Sequence, residues 1–563
     1  MRRSVLTAVL AFVILAMLAP PVFAQAPAGP PAPKVTITGT FDQMTAAGRN
    51  VYDGNFSRDN DREWYARTRF RPDLEFAVGR TKAVLGIEID LNYGQTGSND
   101  GGFPGNNSGQ ACGFQGGCKG AGSAGGGLDL NTDVAGLFEI KWIYTEFDLT
   151  GKDSLMPFIP ILTVARLGGQ PFATIANYKV YYANGDFAGV DLYSTFTPDI
   201  KTHFAYVIVE DQLAGGNRAL PSARTNRGKD YAFIFSPEVT PFKGLDLKPM
   251  FSWFHADGVT STAARRNAFN VRTVGNSMNG SLANGNDNAA NTLSGGDAAM
   301  HEERYTAGFD GRWRVGPFGL DPTVSYQWGQ YDTQALRTNG TTGKVRGDAS
   351  AWLVDVIGSF QLGPLLLEAR AAYSTGNKAR DNLSLSKRYY EPLDLDTGYW
   401  SGGWLGILGL GVDYFNGGGG ANQGMDTNVG YDRYGRAQFA MRATYSITPA
   451  LSVYGVVAPT WAAEKVDTDT GCPALTVATS ATGCAARVAV SNQSFVQGDS
   501  RYIGTEVNGG FTWRFAANTA FDLAGYYLAA GPALKMSELL NGVPVKRDQS
   551  DGYYAVARVR LAF

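Results

Sequence analysis

Leu85-Gly86-Ile87-Glu88-Ile89-Asp90-Leu91-Asn92-Tyr93 alternates without a break: the odd-numbered residues are apolar or aromatic, and the even-numbered ones are glycine, carboxylates and an amide. Successive side chains on an extended strand point to opposite faces, so this segment has one oily face and one wet face. A soluble sandwich would alternate too, but its strands average about 5 to 6 residues. The alternating segments here run about 9 to 13 residues, the length a tilted strand needs to cross a bilayer.

The same two-residue period recurs along the chain. Trp64, Ala66, Thr68 and Phe70 alternate with Tyr65, Arg67, Arg69 and Arg71. Phe138, Ile140, Trp142 and Tyr144 alternate with Glu139, Lys141 and Thr145. Tyr305, Ala307, Phe309 and Trp313 alternate with Arg304, Thr306, Asp310, Arg312 and Arg314, and Leu365, Leu367, Ala369 and Tyr373 with Glu368, Arg370 and Ser374. Charge falls on the wet face in each segment.

The connections sort into two populations. Tight links are read at Arg71-Pro72-Asp73, Thr150 to Met156, Thr197-Pro198, Ser236 to Lys243, Gly316 to Gly319, Gly363-Pro364, Thr448-Pro449 and Ala516 to Thr519. Long polar or Gly-rich excursions are read at Ala46 to Asp61, Gln95 to Ala135, Gln170 to Asp186, Asp211 to Arg227 and Gly258 to Glu302. Further ones run over Tyr331 to Asp348, Thr375 to Tyr434, Glu464 to Ser500 and Gly531 to Ser550. The fold class this implies is all-β: an antiparallel transmembrane β-barrel of about eighteen strands, with short periplasmic turns and long extracellular loops. Trp404 to Phe415 reads either as an extra hairpin arm or as an apolar stretch tucked inward, which leaves sixteen and twenty as alternative counts.

Arg2 and Arg3 precede an apolar run from Val5 to about Ala19, and Val22-Phe23-Ala24 offers a small-residue cleavage site, so residues 1–24 read as a signal peptide. An uncleaved anchor is the alternative, but Pro20 and Pro21 end a run shorter than the roughly 20 residues a spanning helix needs. Residues 25–33 form an Ala/Pro-rich leader, and strand-like sequence from Lys34 onward assigns 34–563 to the barrel, with no room for a large N-terminal plug. Removing the signal leaves 47 basic against 51 acidic side chains, a balance that gives nucleic acid no electrostatic footprint. With 71 Gly, 31 Phe, 27 Tyr and 18% charged residues, the composition suits a wall between lipid and water better than a multidomain enzyme.

At the end of the chain Tyr553, Ala555, Ala557, Val559, Leu561 and Phe563 share one face, and Tyr554, Arg558 and Arg560 the other. Here the sequence resembles the bacterial outer-membrane porins, on Tyr553, Val559, Leu561 and Phe563 together with the alternation of the whole mature chain. The resemblance implies an outer-membrane location amid membrane lipid and lipopolysaccharide, and recognition of the terminal aromatic strand by the barrel-assembly machinery. It also implies passive diffusion of ions and small polar solutes, and assembly as a homotrimer. No subfamily motif for a particular solute is matched, so solute, ion preference and oligomeric state stay open.

Function is expected on the inward charges, because a conducting pore selects through rings and ladders of charged side chains. Closure would set Arg558 and Arg560 near Arg67, Arg69 and Arg71, with Arg436, Arg442 and Arg514 extending the basic wall on preceding strands. Glu88, Asp90, Glu139 and Lys141 follow on the third and fourth strands, and Arg304, Arg312 and Arg314 stand further round. The plainer alternative is that these charges only pair with one another in a wet interior, at about 0 to 1 kcal/mol per exposed pair. The third loop, with Pro171-Phe172, Asn177-Tyr178-Lys179, Tyr181-Tyr182 and Asp186, is the expected constriction; the loops beginning at Gly258 and Thr375 are rivals.

Cys112 and Cys118 lie in the second long loop, and Cys472 and Cys484 in the eighth. In an oxidising compartment two local bridges are the first choice among the three possible pairings. Neither pair has metal-ligand spacing, and no cofactor or metal is expected. His203, His255 and His301 are the only histidines, with no nucleophile elbow or metal-binding helix beside them, so the chain does not read as an enzyme. Two other classes remain: an exporter or importer similar to the alginate-export barrels, with an Arg-lined lumen for acidic saccharide, and a non-conducting adhesin or structural barrel.

Overall fold

Alternation of this kind closes on itself once neighbouring segments pair, and the computed structural model shows the ring. It describes residues 32–51, 62–93, 138–179, 181–183, 186–208, 231–256, 301–336, 342–378, 386–393, 404–408, 434–466, 500–540 and 543–563. The first strands are β1 (Lys34–Arg49), β2 (Arg62–Val78), β3 (Thr81–Tyr93), β4 (Phe138–Thr150), β5 (Leu162–Pro171), β6 (Asp186–Thr197) and β7 (Ile200–Ile208). They continue as β8 (Tyr231–Phe242), β9 (Leu245–Ala256), β10 (Glu302–Val315), β11 (Phe318–Leu336), β12 (Thr342–Leu362) and β13 (Leu365–Ser374). After the two-residue β14 (Ser386–Lys387) come β15 (Arg436–Thr448), β16 (Leu451–Val466), β17 (Ser500–Ala516) and β18 (Thr519–Ala530). A separate hairpin, β19 (Met536–Leu540) and β20 (Val543–Arg547), precedes the last strand, β21 (Gly552–Ala562).

Apart from β14, β19 and β20, each strand pairs antiparallel with the next, and β21 pairs with both β18 and β1. The result is a closed antiparallel barrel of eighteen strands, with no unpaired edge left for another chain to add to. The seam is completed by the final residue: Gly39 N–H donates to the Phe563 carbonyl at 2.9 Å, and Phe563 N–H returns the bond at 3.0 Å. The Phe563 ring stacks on Phe70 across that seam, with centroids 6.0 Å apart. Among the described residues no helix is long and apolar enough to cross a membrane.

The side chains are distributed the opposite way from a soluble protein. Large apolar residues cover the outside, with Ile37 56%, Phe251 44%, Met441 48% and Val507 51% exposed. Inside, Glu88, Lys248, Asp310, Gln327, Asp355, Arg370 and Glu506 are buried. Near one end the outer face carries packed aromatics: Tyr206 on Phe233 at 5.2 Å, Phe233 on Trp253 at 5.7 Å, Tyr305 on Trp328 at 5.7 Å and Tyr326 on Trp352 at 4.5 Å. Such amphipathic rings belong where hydrocarbon meets water.

At the opposite end seven of the eight connections are two-residue turns. Gly316-Pro317 and Gly363-Pro364 show why they are tight. Each glycine has positive φ (56° and 54°), and proline supplies the negative φ after it, the sign pattern of a type II′ hairpin whose twist matches the strands.

Three readings of the connections are corrected. Arg71-Pro72-Asp73 is not a turn; it lies inside β2, and the chain reverses at Gly79-Arg80. Pro72 has no N–H to give, and the β2–β3 pairing passes from Phe70↔Ile89 to Asp73↔Gly86 without it. Ser236 lies within β8, which continues to Phe242 before a turn at Lys243-Gly244. Most of Tyr331 to Asp348 is strand, because β11 and β12 stay paired as far as Leu336↔Thr342.

A fourth correction concerns faces. The β3–β4 register shifts between Gly86↔Trp142 and Ile87↔Ile140, a bulge that gives β4 one extra residue at Lys141. Beyond it the faces exchange. Ile143 is 56% exposed on the outside, whereas Trp142 lies against the side of Gly86 where a Cβ would stand, and Arg166 stacks on Tyr144 at 4.8 Å. Trp142 and Tyr144 therefore face the lumen rather than the oily exterior.

Candidate functional site: the lumen wall and its inward segments

Strands β21, β1, β2, β3 and β4 form one side of the lumen and place its arginines by simple alternation. Asp42 of β1 is directly opposite Arg69 of β2 and Arg560 of β21. Glu88 of β3 sits beneath three cations: Arg69 Nη2 is 2.8 Å from its Oε1, Lys141 Nζ is 3.3 Å from its Oε2, and Arg71 Nε also pairs with Oε2. Asp522 of β18 takes Arg558 at 3.2 Å and Arg560 at 2.7 Å, and Thr512 donates to it at 2.7 Å. These two carboxylates are shared among five cations, which ties neighbouring strands of the wall together through their side chains. Arg67 is buried in the same row.

Two inward segments cover much of the rest of the wall. The first follows β5: a single helical turn, Ala173–Ala176, then Asn177 to Lys179 and Tyr181 to Ala183. Phe172, Tyr181 and Tyr182 are fully buried against Ala205, Ile234, Phe254 and Leu353 of the wall. Hydrogen bonds set its height. Lys179 N–H donates to Asp310 Oδ2 at 2.7 Å, and its Nζ donates to the carbonyls of Asp321 at 2.7 Å and Asp355 at 3.0 Å. Tyr182 Oη donates to Ser252 at 2.7 Å, and Arg312 stacks on the Tyr178 ring at 4.3 Å. Asp355 is fixed in turn by a two-pronged bond from Arg370, at 3.0 and 2.9 Å.

The second segment comes from the seventh loop in two pieces. Residues 386–393 dock on β10–β12: Arg304 Nη1 lies 3.0 Å from Glu302 and 3.1 Å from Glu391, Lys387 pairs with Glu391, and Gln327 exchanges two bonds with the Glu391 backbone at 2.6 and 2.8 Å. The Leu393 N–H donates to the Tyr182 carbonyl at 2.7 Å, joining this piece to the first segment. Residues 404–408 dock on the far wall, where the Glu506 carboxylate accepts three successive backbone N–H groups, from Gly406 at 2.7 Å, Ile407 at 3.0 Å and Leu408 at 2.8 Å. Consecutive amides of this kind make a concave cradle for an anion, here filled by the wall's own carboxylate.

The arginines and carboxylates singled out in the sequence thus take different places. Arg67, Arg69, Arg71, Glu88, Lys141, Arg558 and Arg560 come together in the row described. Arg304 and Arg436 do not line open lumen: both are buried under the seventh-loop pieces, Arg436 donating to the Leu408 carbonyl at 3.4 Å. Arg442 stands between Glu368 at 3.9 Å and the rings of Trp404 and Tyr454. Arg314 pairs with Asp321 near the turn end, where Arg514 is exposed. Asp90 and Glu139 lie opposite Arg69 and Glu88 along the backbone, and their side chains fall outside the described residues, as do Cys112, Cys118, Cys472 and Cys484. Tyr553, Val559, Leu561 and Phe563 face outward.

Asp42, Asp522, Glu391 and Glu506 were not singled out, and Lys179 was named only as part of the third loop. Asp42 and Asp522 stand on inward positions of their strands and could have been found by extending the alternation. Glu506 acts on a segment 98 to 100 residues away, which no local pattern encodes.

No family model and no curated protein matches the chain. Among crystal structures it is similar to OccK8 (OprE) of Pseudomonas aeruginosa, at 11% identity over 94% of this chain and 98% of that one, with a TM-score of 0.42. It is similar to the outer membrane protein opdK of Pseudomonas aeruginosa at 9% identity, covering 94% and 98%, with a TM-score of 0.40. A third is OccAB3 of Acinetobacter baumannii, at 8% identity, 94% and 99% coverage and a TM-score of 0.40.

Proposed function

We propose that this barrel sits in a bacterial outer membrane as a porin, and passes ions and small polar solutes down their gradients with a filter set by charge. Its short turns would face the periplasm and its long loops the outside. An eighteen-strand ring is wide enough to keep an aqueous channel where a ring of about eight strands is filled by its own side chains. The observation that carries the reading is the arginine row of β21 and β2, which flanks Asp42 of β1 and is pinned by Glu88 and Asp522. Fixed charges clustered along a wall with low-dielectric backing focus the field and bias which charged solutes enter, the arginines outnumbering the carboxylates that pin them. No bond is made or broken in such a mechanism.

The test is the planar-bilayer reversal potential under a salt gradient, for the wild type and for a variant with Arg67, Arg69 and Arg71 changed to Ser. A shift toward cations supports the filter. An unchanged potential removes this row from it, and the absence of any conductance step favours a non-conducting barrel. Block of the current by an acidic oligosaccharide at low concentration would favour a saccharide-specific channel.

A further inference from the structure

Two of the chain's three histidines, which read in sequence as isolated residues, meet on the outer face of the barrel at its long-loop end. His255 of β9 is the direct cross-strand partner of Glu303 of β10, and His301 lies two residues before Glu303, on the same side of the chain. His255 Nδ1 is 2.7 Å and His301 Nε2 is 3.6 Å from Glu303 Oε1, and one donor atom from each residue falls within 4.8 Å of the others. Neighbours hold the group in place: Trp253 Nε1 donates to the other carboxylate oxygen, Oε2, and the Tyr231 ring lies 4.9 Å from the His255 ring.

We propose that His255, His301 and Glu303 bind a divalent transition-metal ion of the zinc or copper class. Two imidazoles and a carboxylate are the donors such ions prefer. With bonds of about 2.0 to 2.1 Å, tetrahedral ligand atoms stand about 3.3 Å apart, between the two separations seen here. The two imidazoles, whose donor atoms lie within 4.8 Å of each other, would turn toward Oε1 to admit an ion. The Trp253 bond to Oε2 orients the carboxylate so that Oε1 faces both imidazoles, the supporting role that outer hydrogen bonds play around metal ligands. His301 is about a third exposed, which opens a path from solvent and leaves the remaining coordination positions to water. A bound ion would clamp together the ends of β9 and β10, the two strands joined through residues 257–300.

The experiment uses the mature barrel purified in detergent without a histidine tag and stripped with a chelator. Isothermal titration with zinc chloride is expected to give one ion per chain. His255→Gln, His301→Gln and Glu303→Gln should each weaken binding about tenfold or more, on the scale of perturbed metal shells. His203→Gln, on the inner wall beside Asp191, should leave binding unchanged. Copper(II) loaded at one equivalent should show nitrogen hyperfine splitting from two imidazoles in the wild-type spectrum, a readout that does not depend on variants folding. Absence of stoichiometric zinc binding, or a copper spectrum without two nitrogens, overturns the proposal. So does undiminished binding by His255→Gln and His301→Gln barrels that keep their folded migration on unheated gels.

Discussion

Arg304 of the wall and Glu391 of the seventh-loop segment form an ion pair 3.1 Å long in which both side chains are buried. An arginine that sequence alternation assigns to the channel lining is in fact a fastening. Removing Glu391 leaves Arg304 and Lys387 to share Glu302 alone, and breaking a buried charge group in this way costs up to about 3 to 5 kcal/mol. Glu391→Gln is therefore expected to release residues 386–393 from the wall. Single-channel conductance should rise and become noisy; an unchanged conductance with unchanged noise would show that this segment does not border the ion path.

Glu506 fastens the other piece. Glu506→Ala leaves three backbone N–H groups of residues 406–408 without their acceptor, each costing about 1 to 3 kcal/mol if no water replaces it. The expected outcome is faster proteolysis between β13 and β15 in the folded barrel, with the heat-modifiable migration of the barrel itself retained. Protection equal to the wild type would mean the segment is held by its apolar contacts with Val456, Ile503 and Leu528 instead.

Alternation made most of the wall legible, because a period of two states the facing of each side chain directly. At Trp404 the sequence left an extra hairpin arm and an inward-tucked stretch as alternatives, and residues 404–408 take the second form. What escaped had two causes. The β4 bulge depends on how β3 and β4 slide past each other, so Trp142 looked lipid-facing although it lies against Gly86 inside the ring. The fastening roles of Arg304 and Arg436 depend on contacts with residues 391 and 408, which lie 87 and 28 positions away.

The proposed filter should respond to its carboxylates as well as its arginines. Asp42→Asn and Glu88→Gln are each expected to move the reversal potential toward anions, opposite to the arginine variants. The displacement should be clear at 0.1 M salt and shrink strongly at 1 M, since the screening length falls from about 10 Å to about 3 Å. A displacement that does not depend on salt would point to altered pore shape rather than field.

Phe251 lies near the middle of β9 on the outer face. Phe251→Arg is expected to destabilise the barrel in bilayers by about 2 to 4 kcal/mol, the cost of arginine at the hydrocarbon midplane. Denaturant unfolding in lipid vesicles reads this directly. Equal stability would place this surface outside the bilayer.

Phe563 closes the seam by two backbone bonds to Gly39 and by stacking on Phe70. Phe563→Ala keeps the backbone bonds and loses a ring contact worth about 0.5 to 1.5 kcal/mol beyond its area. Folded yield should fall, and Phe563→Tyr should restore it; equal yield from the alanine variant would dismiss the ring from assembly.

The extra residue at Lys141 has a wider meaning. Alternation works like a reading frame, in which every position is assigned to oil or water by its distance from the last, and one inserted residue shifts the frame for the rest of the crossing. A wall built this way can change which rings face its lumen by gaining or losing a single codon, with no other residue replaced.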